Sequence, residues 1–152
     1  MKVLTFDTET TGKWNFQAPT TSEVQPHLVQ LACMLEDFGA NKVISEIDLI
    51  VRPDGWEIPV EASNIHGIPH QMAEDFGLEL SNVCFIFYDL VRRADIIVAH
   101  NIEFDVKIMT RALAEAEVTP IPWEKRPQRC TMKSAVSFCK IPNKSRGGFK
   151  WP

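Results

Sequence analysis

The chain opens with an apolar run that ends in two carboxylates, and this arrangement constrains the fold more than any other part of the sequence. Residues 3–12 read VLTFDTETTG. An apolar and β-branched run that stops at a glycine predicts a buried strand ending in a turn. Residues two apart on a strand point to the same face, roughly 6.5–7 Å from each other. We therefore expect Asp7 and Glu9 to share a face.

Two carboxylates at the end of a core strand repel each other and lose hydration, so proteins normally pair them with cations. Oxygen ligands without nearby His or Cys suit Mg²⁺ or Mn²⁺ rather than zinc. The alternative is that Asp7 and Glu9 are solvated residues at a strand end. Taken alone, an Asp-x-Glu pattern favours that alternative, and a segment near residue 100 decides between the two.

The composition indicates one domain in a reducing compartment. A chain of 152 residues with 45% apolar and 24% charged residues can bury a substantial core. It contains no apolar run of membrane-spanning length, and its N-terminus enters a strand at once, so we expect a cytoplasmic protein without a signal peptide or membrane contact. The four cysteines lack C-x-x-C spacing, which favours buried thiols over disulfides or zinc.

The charge is distributed unevenly along the chain. Residues 1–120 hold 19 acidic and 8 basic side chains, whereas residues 121–152 hold 1 acidic and 8 basic ones. The basic C-terminal segment contains Lys125, Arg126, Arg129, Lys133, Lys140, Lys144, Arg146 and Lys150. It fits a surface that follows phosphates beside a metal site, and it fits equally a flexible basic tail.

The spacing of apolar residues predicts an α/β fold with a mixed sheet. After the opening strand and a loop over 13–26, the expected strands cover 27–35, 43–51, 95–99 and 129–132. The expected helices cover 60–65, 71–76, 81–93 with Ser81 as its N-cap, a segment capped by Asn101, and 133–139. The order predicts three antiparallel strands followed by parallel strands, with helices on the faces, as one domain over 1–152.

A third carboxylate follows the fourth predicted strand. Residues 100–105 read HNIEFD, which places Asp105 in the first turn of the helix that leaves this strand. Sites in open α/β sheets gather beyond the carboxyl ends of parallel strands. If strands 1 and 4 are neighbours, Asp105 faces Asp7 and Glu9, and three carboxylates at one place require a metal.

At this point the sequence resembles a known family. FDTETTG followed by HNIEFD is similar to the first two motifs of the DEDD-type 3′→5′ exonucleases, which include the proofreading subunits of bacterial replicative polymerases and have an RNase H-like three-layer fold. The segments LVQLAC and GWEIPVEASNIHGI, and the pair Cys130-Thr131, also fall where the family places similar residues.

The resemblance implies roles for individual residues. Asp7 would bridge two Mg²⁺ or Mn²⁺ ions, Glu9 would bind one of them, and Asp105 would serve the other. The substrate would be the 3′ end of a single-stranded nucleic acid, with DNA favoured over RNA. A polymerase would be a further partner. The implied substrate contacts are Thr10 and Thr11 at the terminal sugar, His66 at the end nucleotide, and Asn101 and Phe104 beside the scissile phosphate and its base.

Two of these residues also have simpler interpretations. His66 follows Ile65 near a predicted helix end and fits an ordinary helix-terminal residue. Phe104 fits a core residue as well as a base contact. His100 is a candidate for orienting the loop that follows strand 4.

The sequence departs from the family pattern after Asp105. The family uses a fourth carboxylate and, just before it, a His or Tyr that activates water, yet Asp105 is the last Asp and His100 the last His. We therefore expect a domain cut short before its late helix, with one metal ligand missing and activity weak or absent. The missing helix would leave apolar sheet surface open to self-association. A binding module without catalysis, gripping a 3′ end or a polymerase, is the second hypothesis.

Overall fold

A computed structural model, which describes residues 1–145 and 147–151, contains one five-stranded mixed sheet. The strands lie in the order β3-β2-β1-β4-β5, with β1 at the centre. β1 pairs antiparallel with β2 and parallel with β4. Their bounds are β1 Lys2–Thr10, β2 Leu28–Asp37, β3 Lys42–Ile50, β4 Ile96–Ala99 and β5 Gln128–Cys130. The predicted α/β class, with an antiparallel meander followed by parallel strands, is confirmed.

Helices cover both faces of the sheet. They are α1 Val60–His66, α2 His70–Phe76, α3 Leu80–Arg93, α4 Ile102–Glu115 and α5 Thr131–Cys139, with a short 3₁₀ helix at Trp123–Lys125. The larger core lies under α3 and α4, where the Phe6 and Phe87 rings approach to 5.1 Å between centroids. A smaller core around Val29 of β2 includes Ala62 of α1 and Ala73 of α2. The two cores give the expected three layers.

The start of α3 differs from the sequence prediction. Ser81 was expected to cap this helix, but the helix begins at Leu80 and Glu79 occupies the cap position without a side-chain hydrogen bond. The Glu79 carbonyl accepts hydrogen bonds from the N–H groups of Asn82 and Val83. Leu80 packs against the larger core, so burial of its side chain draws the helix start forward.

The basic C-terminal segment is folded in part. Lys133 of α5 forms an ion pair with Glu103 of α4. Pro142 and Phe149 form an isolated antiparallel β-bridge. Arg146 lies outside the described residues. No helix within 1–145 and 147–151 has the length and apolarity needed to cross a bilayer.

Gly77 lets two backbone segments approach closely, and its replacement tests this packing. Arg52 N–H donates to the Leu78 carbonyl and Leu78 N–H to the Ile50 carbonyl, each at 2.8 Å. A Cβ on Gly77 would lie 2.3 Å from the Ala73 carbonyl oxygen and 2.5 Å from the Arg52 nitrogen. Because both neighbours are backbone atoms, we expect Gly77→Ala to lower the free energy of unfolding by about 1–3 kcal/mol.

Urea denaturation measures this loss, and Gly12→Ala is the matched control. Gly12 has no atom within 4 Å of its Cβ position, so its replacement should change stability by less than about 0.5 kcal/mol. Equal midpoints for the two variants would contradict the close approach at Gly77.

Candidate active site

Asp105 is held against β1 at the residue between the two acids of the opening strand. Its Oδ1 accepts hydrogen bonds from the Thr8 backbone N–H at 3.1 Å and from the Thr8 hydroxyl at 2.7 Å. The Asp105 side chain is buried, with 2% of its surface exposed. Because β1 and β4 are parallel neighbours, the end of β1 and the start of α4 lie at the same edge of the sheet. Asp105 thereby comes to the strand end that carries Asp7 and Glu9.

The pKa values of all three acids are raised. Burial raises the pKa of Asp105 to about 6 against the opposing Thr8 hydrogen bonds, and the charge of Asp7 adds a smaller upward contribution. Burial also raises the pKa of Glu9, and the negative charge of Asp7 raises it further. Burial likewise raises the pKa of Asp7, against the opposing charge of nearby His100. The three carboxylates therefore form a negative centre with too little positive charge beside it.

The donor set fits a hard cation by its chemistry. Carboxylate oxygens are the ligands that Mg²⁺ and Mn²⁺ prefer, and their mutual repulsion would be relieved by a divalent ion. Within residues 1–145 and 147–151, however, no three His, Cys, Asp or Glu side chains are arranged as a ready-made set of metal ligands. Side chains alternate along a strand, so Asp105, bonded to Thr8, approaches Asp7 and Glu9 from across the strand backbone.

A cavity of about 290 Å³ opens beside Glu9 and contains three of the predicted substrate contacts. Thr10, Thr11 and His66 line it. The Thr10 hydroxyl donates to the Gly12 carbonyl at 2.7 Å, and the Thr11 hydroxyl accepts from the His27 N–H at 2.9 Å. The structure thus uses both hydroxyls to shape the turn at the cavity mouth.

His66 has both of the features that its alternative interpretations required. Its Nδ1 accepts the Ile68 N–H at 3.1 Å, as a helix-terminal residue would. The neutral ring then carries its proton on Nε2. That nitrogen is buried, and the described residues offer it no hydrogen-bond partner. His66 therefore lines the cavity beside Glu9 and carries a buried donor that has no partner among the described residues.

The other predicted contacts lie at the start of α4, outside the lining of this cavity. Asn101 occupies the cap position of α4 in a left-handed conformation, with φ 60°, but its side chain makes no cap hydrogen bond. Phe104 is half-buried and packs against the larger core. His100 bonds through Nδ1 to the Thr131 hydroxyl at 3.1 Å, which joins the end of β4 to α5.

Sequence reasoning missed Thr8, which fixes the position of Asp105. Its neighbours Asp7 and Glu9 lie on one face of β1, whereas Thr8 lies on the other face and is buried. The available signal was the alternation itself, because a hydroxyl on the core side of a strand needs a partner.

Comparisons with known proteins identify the family and the fold of this chain. A family model described as an exonuclease, RNase_T, matches residues 4–144. The chain belongs to this exonuclease family. The membership confirms the DEDD-type resemblance of the two sequence motifs. A search of curated proteins by sequence finds no significant match to this exonuclease domain.

Solved structures of exonuclease I share the fold. A product-bound form superposes with a TM-score of 0.76 at 18% identity, over 98% of this chain and 36% of that one. E. coli exonuclease I with a dA16 oligonucleotide gives 0.75 at 17% identity, over 99% and 34%. The zinc-bound E. coli exonuclease I complex with single-stranded DNA gives 0.71 at 19% identity, over 88% and 28%. The exonuclease domain thus has the RNase H-like fold and spans about a third of these relatives.

Proposed function

We propose that this exonuclease domain removes nucleoside monophosphates from the 3′ end of a single-stranded nucleic acid, with DNA as the first candidate. The observation that carries the proposal is the anchoring of Asp105 to Thr8, between Asp7 and Glu9. Family membership and the fold of exonuclease I, which has been solved with single-stranded DNA, support it.

Asp7, Glu9 and Asp105 would hold Mg²⁺ or Mn²⁺ in this proposal. When bound, such ions activate a water molecule and stabilise the leaving 3′-oxygen. The protein's own contribution is to bring three carboxylates to one strand end, and their raised pKa values indicate that a cation is needed to keep them all ionised. The Nε2–H of His66 would donate to the terminal nucleotide, and Thr10 and Thr11 would shape the pocket for its sugar.

We also propose that the exonuclease activity of this domain is low. No Asp or His follows Asp105 in the sequence. We expect the 152 residues alone to hydrolyse DNA slowly, because a missing general base costs roughly 10²–10⁴ in rate. A cytoplasmic setting, a polymerase partner and self-association are retained as predictions. The exposed side chains of Phe138, Phe149 and Trp151 support the last of these.

A second candidate function is binding of a 3′ end or of a polymerase without hydrolysis. The observation that favours it is the lack of a ready-made set of metal ligands among the described His, Cys, Asp and Glu side chains. In that case affinity for DNA would survive both EDTA and the replacement of Asp7.

Labelled single strands separate the two candidates. With Mn²⁺ present, a 3′-labelled strand should lose its label as a mononucleotide, and a 5′-labelled strand should shorten one nucleotide at a time. Release of the 5′ label first, or of internal fragments, would contradict the proposed direction. Binding without any product would favour the second candidate.

A further inference from the structure

A phenylalanine side chain lies in solvent on the loop that follows β1. Asn15 to Ala18 form a turn in which the Ala18 N–H donates to the Asn15 carbonyl at 3.3 Å. Phe16 occupies this turn, and 80% of its surface is exposed. Turn positions usually carry polar residues or glycine, because an apolar ring there gains nothing from burial. The position of Phe16 therefore needs an explanation other than folding stability.

The turn that presents Phe16 is held from beneath by a buried glutamine. Gln25 is 2% exposed, its Oε1 accepts the Asn15 N–H at 3.0 Å, and its Nε2 donates to the Asn15 carbonyl at 2.7 Å. The same Nε2 lies within 3.2 Å of the carbonyls of Ala18 and Pro19. A buried side chain with these partners fixes the backbone on both sides of Phe16.

A buried arginine of α4 holds the remainder of the loop. Arg111 Nη1 donates to the carbonyls of Ser22, at 2.5 Å, and Thr20, at 3.4 Å. Its Nη2 lies 3.4 Å from Nε2 of His27. His27 in turn is bonded twice to Thr11 at the mouth of the cavity beside Glu9: its carbonyl accepts the Thr11 N–H, and its N–H donates to the Thr11 hydroxyl. Side-chain hydrogen bonds thus order the loop and connect it to the candidate site.

One face of the Phe16 ring is covered by a cation. The Nζ of Lys107 lies 4.2 Å from the centroid of the ring and 5.9 Å from that of buried Trp14. A cation over one face leaves the other face free, as the exposure of the ring requires. Phe16 and Lys107 together offer an exposed aromatic surface and a positive charge. Proteins that bind single-stranded nucleic acids combine these two features in their binding grooves.

The pair lies within reach of the cavity. Lys13 lines that cavity with Glu9 and Gly12, and the four-residue step from Gly12 to Phe16 spans at most about 14 Å. Successive stacked bases of one strand are roughly 3.4 Å apart. A strand whose 3′ end occupies the cavity therefore brings a base to Phe16 within a few nucleotides.

We propose that Phe16 stacks a base of a single-stranded nucleic acid a few nucleotides from its 3′ end, while Lys107 and Lys13 attract the adjoining phosphates. This inference deepens the proposed function and rests on it, since it assumes that the 3′ end enters the cavity beside Glu9. Phe16 acts as a substrate-positioning residue and takes no part in bond cleavage.

Binding in EDTA tests this inference independently of hydrolysis. Fluorescence anisotropy with a strand of roughly ten nucleotides should show about tenfold weaker binding for Phe16→Ala, because base stacking on an aromatic ring commonly supplies that much. Phe16→Trp should restore the affinity. The matched control is Phe38→Ala, which removes a 60% exposed ring from the far end of the β1–β2 pair. Equal affinities for Phe16→Ala and Phe38→Ala would overturn the inference and point to a protein partner for the ring.

A strand with one abasic nucleotide, moved stepwise from the 3′ end, locates the contact. Wild-type protein should lose about tenfold in affinity at one position near the end, and Phe16→Ala should show no such loss there. An abasic penalty that is unchanged in Phe16→Ala would also overturn the inference. Failure of the proposed function gives a different result, because Mn²⁺-dependent release of mononucleotides would then be missing while the stacking contact persists.

Discussion

Asp7→Asn is expected to reduce the release of mononucleotides from a 3′-labelled single strand by about a thousandfold or more. Asn keeps the shape of the side chain but removes the negative charge that acts on both Glu9 and Asp105. A lost metal ligand removes several kcal/mol of transition-state stabilisation, and about 4 kcal/mol corresponds to a thousandfold in rate. The measurement is the initial rate with saturating Mn²⁺, together with a urea titration that establishes equal folding.

The control for this prediction is Asp89→Asn. Asp89 lies on the exposed surface of α3, where it pairs with Arg92 and Arg93, and exposed pairs of this kind contribute little. Its replacement should leave the rate unchanged. If Asp7→Asn retained more than about a tenth of wild-type activity, hydrolysis would not depend on this group of acids.

Asp105→Asn is expected to remove activity and, in the absence of divalent ions, to stabilise the fold. The pKa of Asp105 is raised from its ordinary value of 3.8 to about 6. The folded protein therefore binds the proton more tightly than the unfolded chain does, so stability falls as pH rises between these two values. The accumulated loss is about 3 kcal/mol above pH 6. Asn keeps an oxygen that accepts both hydrogen bonds from Thr8, and it carries no charge.

Urea unfolding in EDTA across roughly pH 4 to 8 measures this effect. Wild-type protein should lose stability as pH rises through 4 to 6, and the slope should be smaller in Asp105→Asn, which should be more stable by up to about 3 kcal/mol at neutral pH. Mn²⁺ should reduce the difference in free energy of unfolding between Asp105→Asn and wild type, because it favours the ionised carboxylate of the wild type. A variant that is less stable than wild type at pH 8 would contradict the burial of an unpaired charge.

The sequence predicted the kind of strand that precedes Asp105 but not the neighbour of that strand. A wholly apolar β4 predicts a parallel strand buried on both faces, whereas its pairing with β1, which brings Asp105 to the end of β1, is supplied by the structure. The bond from Thr8 to Asp105 joins residues 97 apart in the chain, and no local pattern indicates it. Ser81 was misplaced as a cap because the packing of Leu80 outweighed a local preference.

The loop over residues 13–26 marks the other limit of sequence reasoning. Its lack of apolar periodicity predicts a loop correctly, but periodicity gives no indication of its internal order. That order comes from Gln25 and from Arg111, and the latter lies about ninety residues further along the chain. In the sequence, a buried polar residue cannot be told from an exposed one by its spacing from its neighbours. Its role is therefore seen only in the three-dimensional structure.

Two hydrogen bonds between Thr11 and His27, one from the Thr11 N–H to the His27 carbonyl and one from the His27 N–H to the Thr11 hydroxyl, close this loop at its base, next to the central strand. A segment whose two ends are joined in this way can gain or lose residues at its tip while the sheet keeps its register. If the proposed function holds, changes in this loop can alter contacts with the body of a bound strand without disturbing the acids that would cleave its end. Members of this family that differ in the length of strand they hold are expected to differ first in this loop.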